Sequence, residues 1–278
     1  MEEQPKFRRI DSSSGYRFYE VFGCGTYPSV TTILKVPNKP ALVPWAAKEE
    51  RKMVLEAAAL AYSELPKGQK LSEAAFMTLV GDRIGLVKAY KKEMTKASDI
   101  GTEVHNKAEW HLKTSMNLEA GPEPILSTEA AKESFKKYEK YLADHHFKPL
   151  QIERTVWSVT YAYAGTQDWL AYLDGVLTVG DWKTSKSMHG EYLLQIAALV
   201  TALRELDGIT EPIQGCAVRL PKTEEEPEPE FKIISFEEIQ ELTKTFLGFR
   251  QAFDWYYKND MDGQQEYRDK KKREKVRA

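Results

Sequence analysis

Cysteine and long apolar runs are scarce in this sequence. Its 278 residues include two cysteines, Cys24 and Cys216, which can form one disulfide at most and cannot supply the four thiolates of an iron–sulfur cluster. We expect free, buried thiols instead. No apolar run approaches the roughly 18 residues of a membrane-spanning helix. The first residues also lack the basic-then-apolar layout of a secretion signal. The sequence therefore predicts a cytoplasmic protein that does not contact a membrane.

Several well-known catalytic motifs are also missing. The chain has no Gly-x-x-x-x-Gly-Lys-Ser/Thr loop, so we expect neither ATP binding nor a motor activity. It has no Gly-x-Ser-x-Gly elbow and no His-Glu-x-x-His zinc motif. His145-His146 is an adjacent pair whose side chains diverge on a helix, so it is not a chelating pair.

The chain lacks an excess of one charge sign. Its formal net charge is −2, but residues 268–278 carry seven Lys or Arg and about +5, which leaves the remainder near −7. Any contact with a polyanion must therefore be local. One candidate is the series Lys88, Lys92 and Lys96, which recurs at every fourth position of a predicted helix. This series is either a solvated helix face or a stripe that follows a phosphate backbone.

Periodicity and turn residues predict mostly helices first and a sheet later. A hairpin is expected near 16–25, with Ser29 capping a short helix behind it. The predicted helices cover 44–65, 72–96, 99–117, 129–145, 191–206 and 236–257, and the predicted strands cover 151–160, 165–173, 176–183, 213–220 and 231–235. The order indicates an α/β protein.

Acidic residues gather around one predicted hairpin. Asp174-Gly175 is a strong two-residue turn signal, and Asp168 and Asp181 lie at nearly equal distances on either side of it. The two carboxylates are therefore expected to lie almost opposite each other, where they repel unless a cation lies between them. Alternation along a strand puts Asp181 and Lys183 on the same face. Magnesium, which prefers oxygen ligands, suits such a site.

A magnesium site beside a lysine is suited to phosphodiester cleavage. The metal polarises a phosphate oxygen and lowers the pKa of a bound water, and Lys183 can stabilise the charge that develops. His105 on a preceding helix can supply a nitrogen ligand, which manganese tolerates better than magnesium. Glu153 is a candidate further ligand, and Glu109 lies one turn beyond His105. Each residue alone also has a structural interpretation, as a turn former, a solvated acid or a packed histidine.

Five segments in this order resemble the PD-(D/E)XK nuclease superfamily, in particular its RecB-like exonuclease branch. The resemblance extends from Tyr27 to about Tyr257 and includes stand-alone phage, bacterial and mitochondrial genome maintenance exonucleases. The segments are Pro28-Ser29-Val30-Thr31-Thr32-Ile33-Leu34, Gly101-Thr102-Glu103-Val104-His105, Gly165-Thr166-Gln167-Asp168, Gly180-Asp181-Trp182-Lys183 and Tyr192-Leu193-Leu194-Gln195. One departure is Leu199, which occupies a position where the family helix often has tyrosine.

The resemblance implies a restriction-endonuclease-like core, a mixed central sheet flanked by helices, with an N-terminal helical elaboration. Residues 1–98 would form a hairpin and helical region packed on the core, 99–258 the nuclease core, and 259–278 a basic, disordered tail. The implied site has metal ligands His105, Asp168 and Asp181, to which the strand position of Glu153 adds a further candidate, and catalytic residues Lys183, Asp181, Asp168 and Gln195. Lys88, Lys92 and Lys96 would contact DNA.

The activity that the resemblance implies is a deoxyribonuclease dependent on Mg²⁺, with Mn²⁺ able to substitute, and without an iron–sulfur cluster or ATP. It would be an exonuclease on single-stranded DNA or DNA ends, acting in replication, recombination or repair with a separate helicase or recombination protein. A bacterial or phage-infected cell is the expected setting. Alternatives are a structure-specific or restriction-type endonuclease, an RNA-directed nuclease, and a nucleic-acid-binding module with a vestigial site.

Overall fold

The computed structural model describes residues 7–12, 15–37, 39–65, 71–84 and 88–259. The chain groups by close packing into two compact units, one containing residues up to 37 and from 103 onward, the other residues 38–102. The predicted boundary at 98/99 stays a prediction. The predicted basic tail lies outside the described residues, except for Asn259 at the end of the last helix.

Fifteen helices and strands occur in the described part of the chain. In chain order they are β1 (Phe7–Asp11), β2 (Arg17–Val21), β3 (Gly25–Pro28), α1 (Val30–Ile33), α2 (Leu42–Ser63), α3 (Glu73–Ile84), α4 (Ala89–Ser115), α5 (Glu129–Asp144), β4 (Phe147–Ser158), β5 (Tyr163–Leu173), β6 (Val176–Lys183), α6 (Gly190–Asp207), β7 (Gln214–Arg219), β8 (Glu230–Ile234) and α7 (Phe236–Asn259).

The larger unit contains a five-stranded mixed sheet in the order β4-β5-β6-β7-β8. Strands β4, β5 and β6 are antiparallel neighbours, β7 runs parallel to β6, and β8 is antiparallel to β7. The parallel pair requires a crossover, which α6 provides. The predicted α/β class with a mixed, helix-flanked sheet is confirmed.

A second, three-stranded antiparallel sheet precedes it, in the order β1-β2-β3. The predicted hairpin corresponds to β2 and β3, and the first strand, β1, was not predicted. Ser29 caps α1 as expected, since its side chain accepts a hydrogen bond from the Thr32 amide at 3.0 Å. Val30 and Ile33 of this short helix are buried in the main core, which joins the segment to the five-stranded sheet.

Apolar side chains fill both faces of the five-stranded sheet. On one face, α6 contributes Ile196, Leu199 and Leu203 to a core that also contains Phe246 of α7. On the other face, aromatic rings from α5 pack against the strands, and the ring contacts there are Tyr138–Trp182, Tyr141–Trp182, Phe147–Trp169 and Trp169–Trp182. Burial of such large rings stabilises this layer and fixes the strand that carries Asp181 and Lys183.

Gly180 gives Trp169 the space that its ring occupies. A Cβ atom at position 180 would lie 1.8 Å from Trp169 Cζ2, in a fully buried ring. We expect Gly180→Ala to lower the free energy of unfolding by about 3 kcal/mol or more, because the ring and strand must shift. Gly248→Ala on α7 is the matched control, since its Cβ would meet nothing within 4 Å and alanine favours a helix. Equal stability of the two variants in urea denaturation would contradict this role of Gly180.

The helical region between 72 and 117 differs from the prediction. In place of helices over 72–96 and 99–117, the chain forms α3 and the long α4, and α4 passes through Ser98 and Asp99 without a cap. The residues from Ala89 to Ala97 favour helix, and extending a helix is easier than nucleating a new one. Lys88, Lys92 and Lys96 therefore lie at or before the first turns of α4, where all three are exposed.

Both cysteines are free, as expected, but only Cys216 is buried. Cys24 is exposed in the turn between β2 and β3, which corrects the expectation of two buried thiols. The position follows from the turn, because residues between two strands of a hairpin have no face to bury.

Among the residues that the structure describes, no helix has the length and apolar character needed to cross a membrane.

Candidate metal centre and carboxylate–lysine site

The β5–β6 hairpin brings Asp168 and Asp181 together as predicted. Asp174 and Gly175 form its turn with φ of 50° and 87°, a conformation that aspartate and glycine tolerate. The ladder runs from Leu173↔Val176 to Trp169↔Gly180, so Asp168 and Asp181 are the next opposed residues. Here the Asp168 side chain, and not its backbone, bonds to the opposite strand: Asp168 Oδ2 accepts a hydrogen bond from the Trp182 amide at 2.7 Å. Asp168 is therefore held in place by the strand opposite.

Asp181, Lys183 and Gln195 form a closed triangle of contacts. Lys183 Nζ forms an ion pair with Asp181 Oδ2. Gln195 Nε2 donates to Asp181 Oδ1 at 2.9 Å, and Lys183 Nζ donates to Gln195 Oε1 at 3.1 Å. Asp181 and Lys183 thus share the face that α6 covers, while Trp182 between them packs against α5. The glutamine on α6 orients both charged groups.

The ammonium of Lys183 stays charged in this setting. Burial works to lower the pKa of Lys183, but the neighbouring carboxylates of Asp181 and Asp168 outweigh it and raise the pKa above its ordinary value. The ring of Tyr192 adds a cation–π contact, with its centroid 4.9 Å from Lys183 Nζ. Lys183 is therefore a fixed positive charge at neutral pH and cannot serve as a general base there.

Glu153 lies across from Asp168 on β4. Its neighbours pair as Ile152↔Trp169 and Arg154↔Gln167, which leaves Glu153 facing Asp168 at a local irregularity with φ of 49°. A non-glycine residue in this left-handed conformation is strained by about 1–3 kcal/mol. Two hydrogen bonds from Arg154 to the carboxylate of Asp207 hold the next residue in place. The surrounding contacts thus keep the Glu153 side chain pointed at Asp168.

The acidic groups of this cluster are repelled by one another. Burial, together with the charges of Asp168, Glu109 and Asp181, raises the pKa of Glu153 to about 8. Burial and the charge of Asp181 raise the pKa of Asp168 to about 6, although His105, Lys183 and the Trp182 amide act in the opposite direction. Carboxyl groups with pKa values this high hold their protons more tightly than ordinary acids, because burial and the neighbouring carboxylates disfavour the charged form.

His105 completes a group of three metal-ligand side chains. It lies in the part of α4 that belongs to the larger unit, between the buried residues Val104 and Ala108. Its Nδ1 is 3.3 Å from Asp168 Oδ2. The ligand atoms of His105, Glu153 and Asp168 all lie within 4.8 Å of one another. Two carboxylates and one imidazole in this arrangement fit a divalent cation such as Mg²⁺ or Mn²⁺.

A divalent cation also resolves the repulsion just described. Burial contributes most to the raised pKa values of Glu153 and Asp168 and the neighbouring carboxylates add to it, and a bound cation would oppose both effects. Asp181 does not belong to this compact group of three, since its carboxylate contacts Lys183 and Gln195 instead. Asp181 nevertheless lies next to Asp168, and its negative charge raises the pKa of Asp168.

Glu109 and Tyr192 have contacts that the sequence did not predict. Glu109 was taken as a solvated acid, yet its charge is close enough to raise the pKa of Glu153, and it also pairs with Lys113. Tyr192 does not occupy the position where the family helix often has tyrosine, and the sequence assigned it no role. It contacts Lys183 nevertheless, because residues three apart on α6 share a face with Gln195. Leu199 at the family position is fully buried in the core.

The predicted site residues therefore lie in one neighbourhood, and the predicted DNA contacts lie in the other unit. His105, Glu153 and Asp168 form one group, and Asp181, Lys183 and Gln195 form the next. The exposed lysines 88, 92 and 96 belong to the unit 38–102, and both interpretations of them stay open.

No protein-family model matches this chain, and no curated protein matches its sequence.

Proposed function

We propose that this protein is a metal-dependent nuclease that hydrolyses phosphodiester bonds of DNA, with single strands or strand ends as substrate. The observation that carries the proposal is the Asp181–Lys183–Gln195 triangle, with Asp181 buried and its two partners half-buried, beside the His105, Glu153 and Asp168 group. A metal ion held by these three side chains, next to the fixed ammonium of Lys183, would stabilise negative charge on a reacting phosphate.

The fold supports a restriction-endonuclease-like core without establishing it. The site spans an antiparallel hairpin, β5–β6, and the helix α6 that leads from β6 to its parallel neighbour β7. This placement agrees with the family resemblance of the five sequence segments.

Each residue of the site has a role in this proposal. His105, Glu153 and Asp168 would hold a Mg²⁺ or Mn²⁺ ion, with Asp181 as a further ligand when Lys183 turns to substrate. The ion would supply Lewis-acid activation of the phosphate and of water. Lys183 attracts the phosphate and compensates the charge that builds up on its oxygens. Gln195 positions Asp181 and Lys183, and it need not touch the reacting atoms.

We propose that the protein acts as an exonuclease, and circular DNA, which has no ends, tests this. With Mg²⁺, the protein should degrade end-labelled linear single-stranded DNA while leaving covalently closed circular single strands intact, because an exonuclease needs an end. Gel analysis of both substrates in one tube provides the measurement. An Asp181→Asn variant should leave both intact, whereas Lys148→Met, at an exposed lysine on β4, should behave as the parent.

The other outcomes separate the alternative functions. Cleavage of the circle at the linear rate would replace the proposal with an endonuclease. Faster cleavage of RNA than of DNA would change the substrate. Binding of DNA with no cleavage under Mg²⁺ or Mn²⁺ would leave a binding module. A physiological role in replication, recombination or repair, alongside a helicase or recombination protein, belongs to the same proposal.

A further inference from the structure

A second recess lies in the larger unit, at the C-terminal end of α7. It is an open cavity of about 200 Å³, and none of its lining residues belongs to the site described above. Its walls include Tyr16, Lys35, Phe253, Tyr256 and Tyr257. Drug-sized ligands usually occupy cavities of roughly 300–1,000 Å³. A single planar ring is therefore a better match for its size than a larger ligand.

The aromatic rings of this cleft are held by one another. The rings of Phe253 and Tyr257 stack with centroids 5.4 Å apart and planes 19° apart. Tyr16 meets Phe253 edge-on at 6.1 Å. Tyr256 lines the same cleft and is 54% exposed. The Tyr256 ring meets Trp255 edge-on with centroids 5.1 Å apart, and a ring that is already held by a neighbour loses less entropy when it stacks with a ligand.

One positive charge, that of Lys35, lies beside these rings. Lys35 Nζ lies 5.5 Å from the centroid of the Tyr16 ring and donates a hydrogen bond to the Gly15 carbonyl. Asn259 ends α7 two residues beyond Tyr257, and the sequence that follows includes the seven Lys or Arg of residues 268–278. Like charge on Lys35 disfavours this basic segment as the occupant. A polyanion that carries flat rings complements both the charge and the aromatic walls.

We propose that this cleft binds an unpaired base of a single-stranded nucleic acid, at a position separate from the carboxylate–lysine site. Tyr256 stacks on the base, and Lys35 attracts the adjacent phosphate. Stacking of a base on an aromatic side chain contributes about 1–3 kcal/mol and tolerates any base. The inference takes from the proposed function only that the protein binds a polynucleotide, and it adds a second contact on the same strand.

Fluorescence anisotropy with two probes of equal charge tests the stacking. One probe is a labelled 20-nucleotide oligothymidylate, and the other is an abasic strand of the same length; both are titrated in EDTA, so that no cleavage occurs. Tyr256→Ala should weaken binding of the thymidylate strand about 5- to 100-fold and leave the abasic strand unchanged. Lys35→Met should weaken both and reduce the salt dependence.

Two control variants separate stacking from folding. Tyr256→Phe keeps the ring and should bind as the parent does, and Tyr161→Ala removes another exposed tyrosine of the same unit that does not line the cleft. The proposal is overturned if Tyr256→Ala affects both probes equally, if it affects neither, or if the parent does not distinguish them. Because cleavage plays no part in the measurement, absence of nuclease activity with Mg²⁺ would refute the proposed function and leave this result standing.

Discussion

Lys183→Met should lower the cleavage rate about 1,000-fold or more, the upper end of what removal of one electrostatic stabiliser of a transition state usually costs. The physical reason is that Lys183 is the only side-chain cation in contact with Asp181 in the described chain, and its charge persists through neutral pH. Methionine keeps the aliphatic stem and removes the charge. The measurement is single-turnover cleavage of linear single-stranded DNA at saturating Mg²⁺.

Loss of stability in this variant must be separated from loss of catalysis. Asp181 is almost fully buried, at 1% exposure, and removing one partner of a buried ion pair costs about 3–5 kcal/mol. The double variant Asp181→Asn with Lys183→Met removes both charges, so it should recover most of the unfolding free energy without recovering any cleavage. Thermal unfolding of the parent, the single variants and the double variant completes the cycle.

The result is decisive in both directions. If Lys183→Met cleaves at the rate of the parent, the ammonium takes no part in the reaction and the site assignment is wrong. If the double variant regains cleavage as well as stability, Lys183 has only a structural role. Lys148→Met serves again as the matched control, since it removes an exposed lysine from β4.

Much of the site could be predicted because short-range rules determine it. The Asp174-Gly175 signal gave the correct turn, and equal distances from that turn placed Asp168 opposite Asp181. Alternation along β6 placed Asp181 and Lys183 on the face that Gln195 covers. Turn chemistry and the two-residue period of a strand both act within a few residues, so a single sequence reveals them.

Glu153 and His105 were named as candidate ligands, but the contacts that bring them to Asp168 are distant in sequence and could not be predicted. Glu153 opposes Asp168 through the pairing of β4 with β5, and its φ of 49° departs from strand geometry in a way that period-two alternation does not reveal. His105 reaches Asp168 because Val104 and Ala108 bury one side of α4 in the larger unit. The contact between Tyr192 and Lys183 could have been found from the sequence, because Tyr192 precedes Gln195 by three residues and therefore shares its helix face.

The surroundings of Glu153 make it a source of instability in the cation-free protein. Burial and three neighbouring carboxylates raise its pKa from the ordinary 4.5 to about 8. An acid with a raised pKa binds its proton more tightly in the folded state than in the unfolded state. It therefore adds no destabilisation below about pH 4.5, and the folded state loses stability as pH rises from there to about 8.

Glu153→Gln should therefore stabilise the cation-free protein at pH 8 by on the order of 3 kcal/mol, or roughly 6–12 °C in Tm, while it abolishes most of the stabilisation by Mn²⁺ or Mg²⁺. The parent should show the opposite pattern, with a Tm that falls between pH 5 and 8 in EDTA and recovers when the cation is added, because the cation binds only the folded carboxylate group. Glu119→Gln, at an exposed position after α4, should follow the parent in every condition. Calorimetry at pH 5 and pH 8, with and without cation, measures all four states. An equal pH slope and an equal response to cation in Glu153→Gln and the parent would remove Glu153 from the metal group.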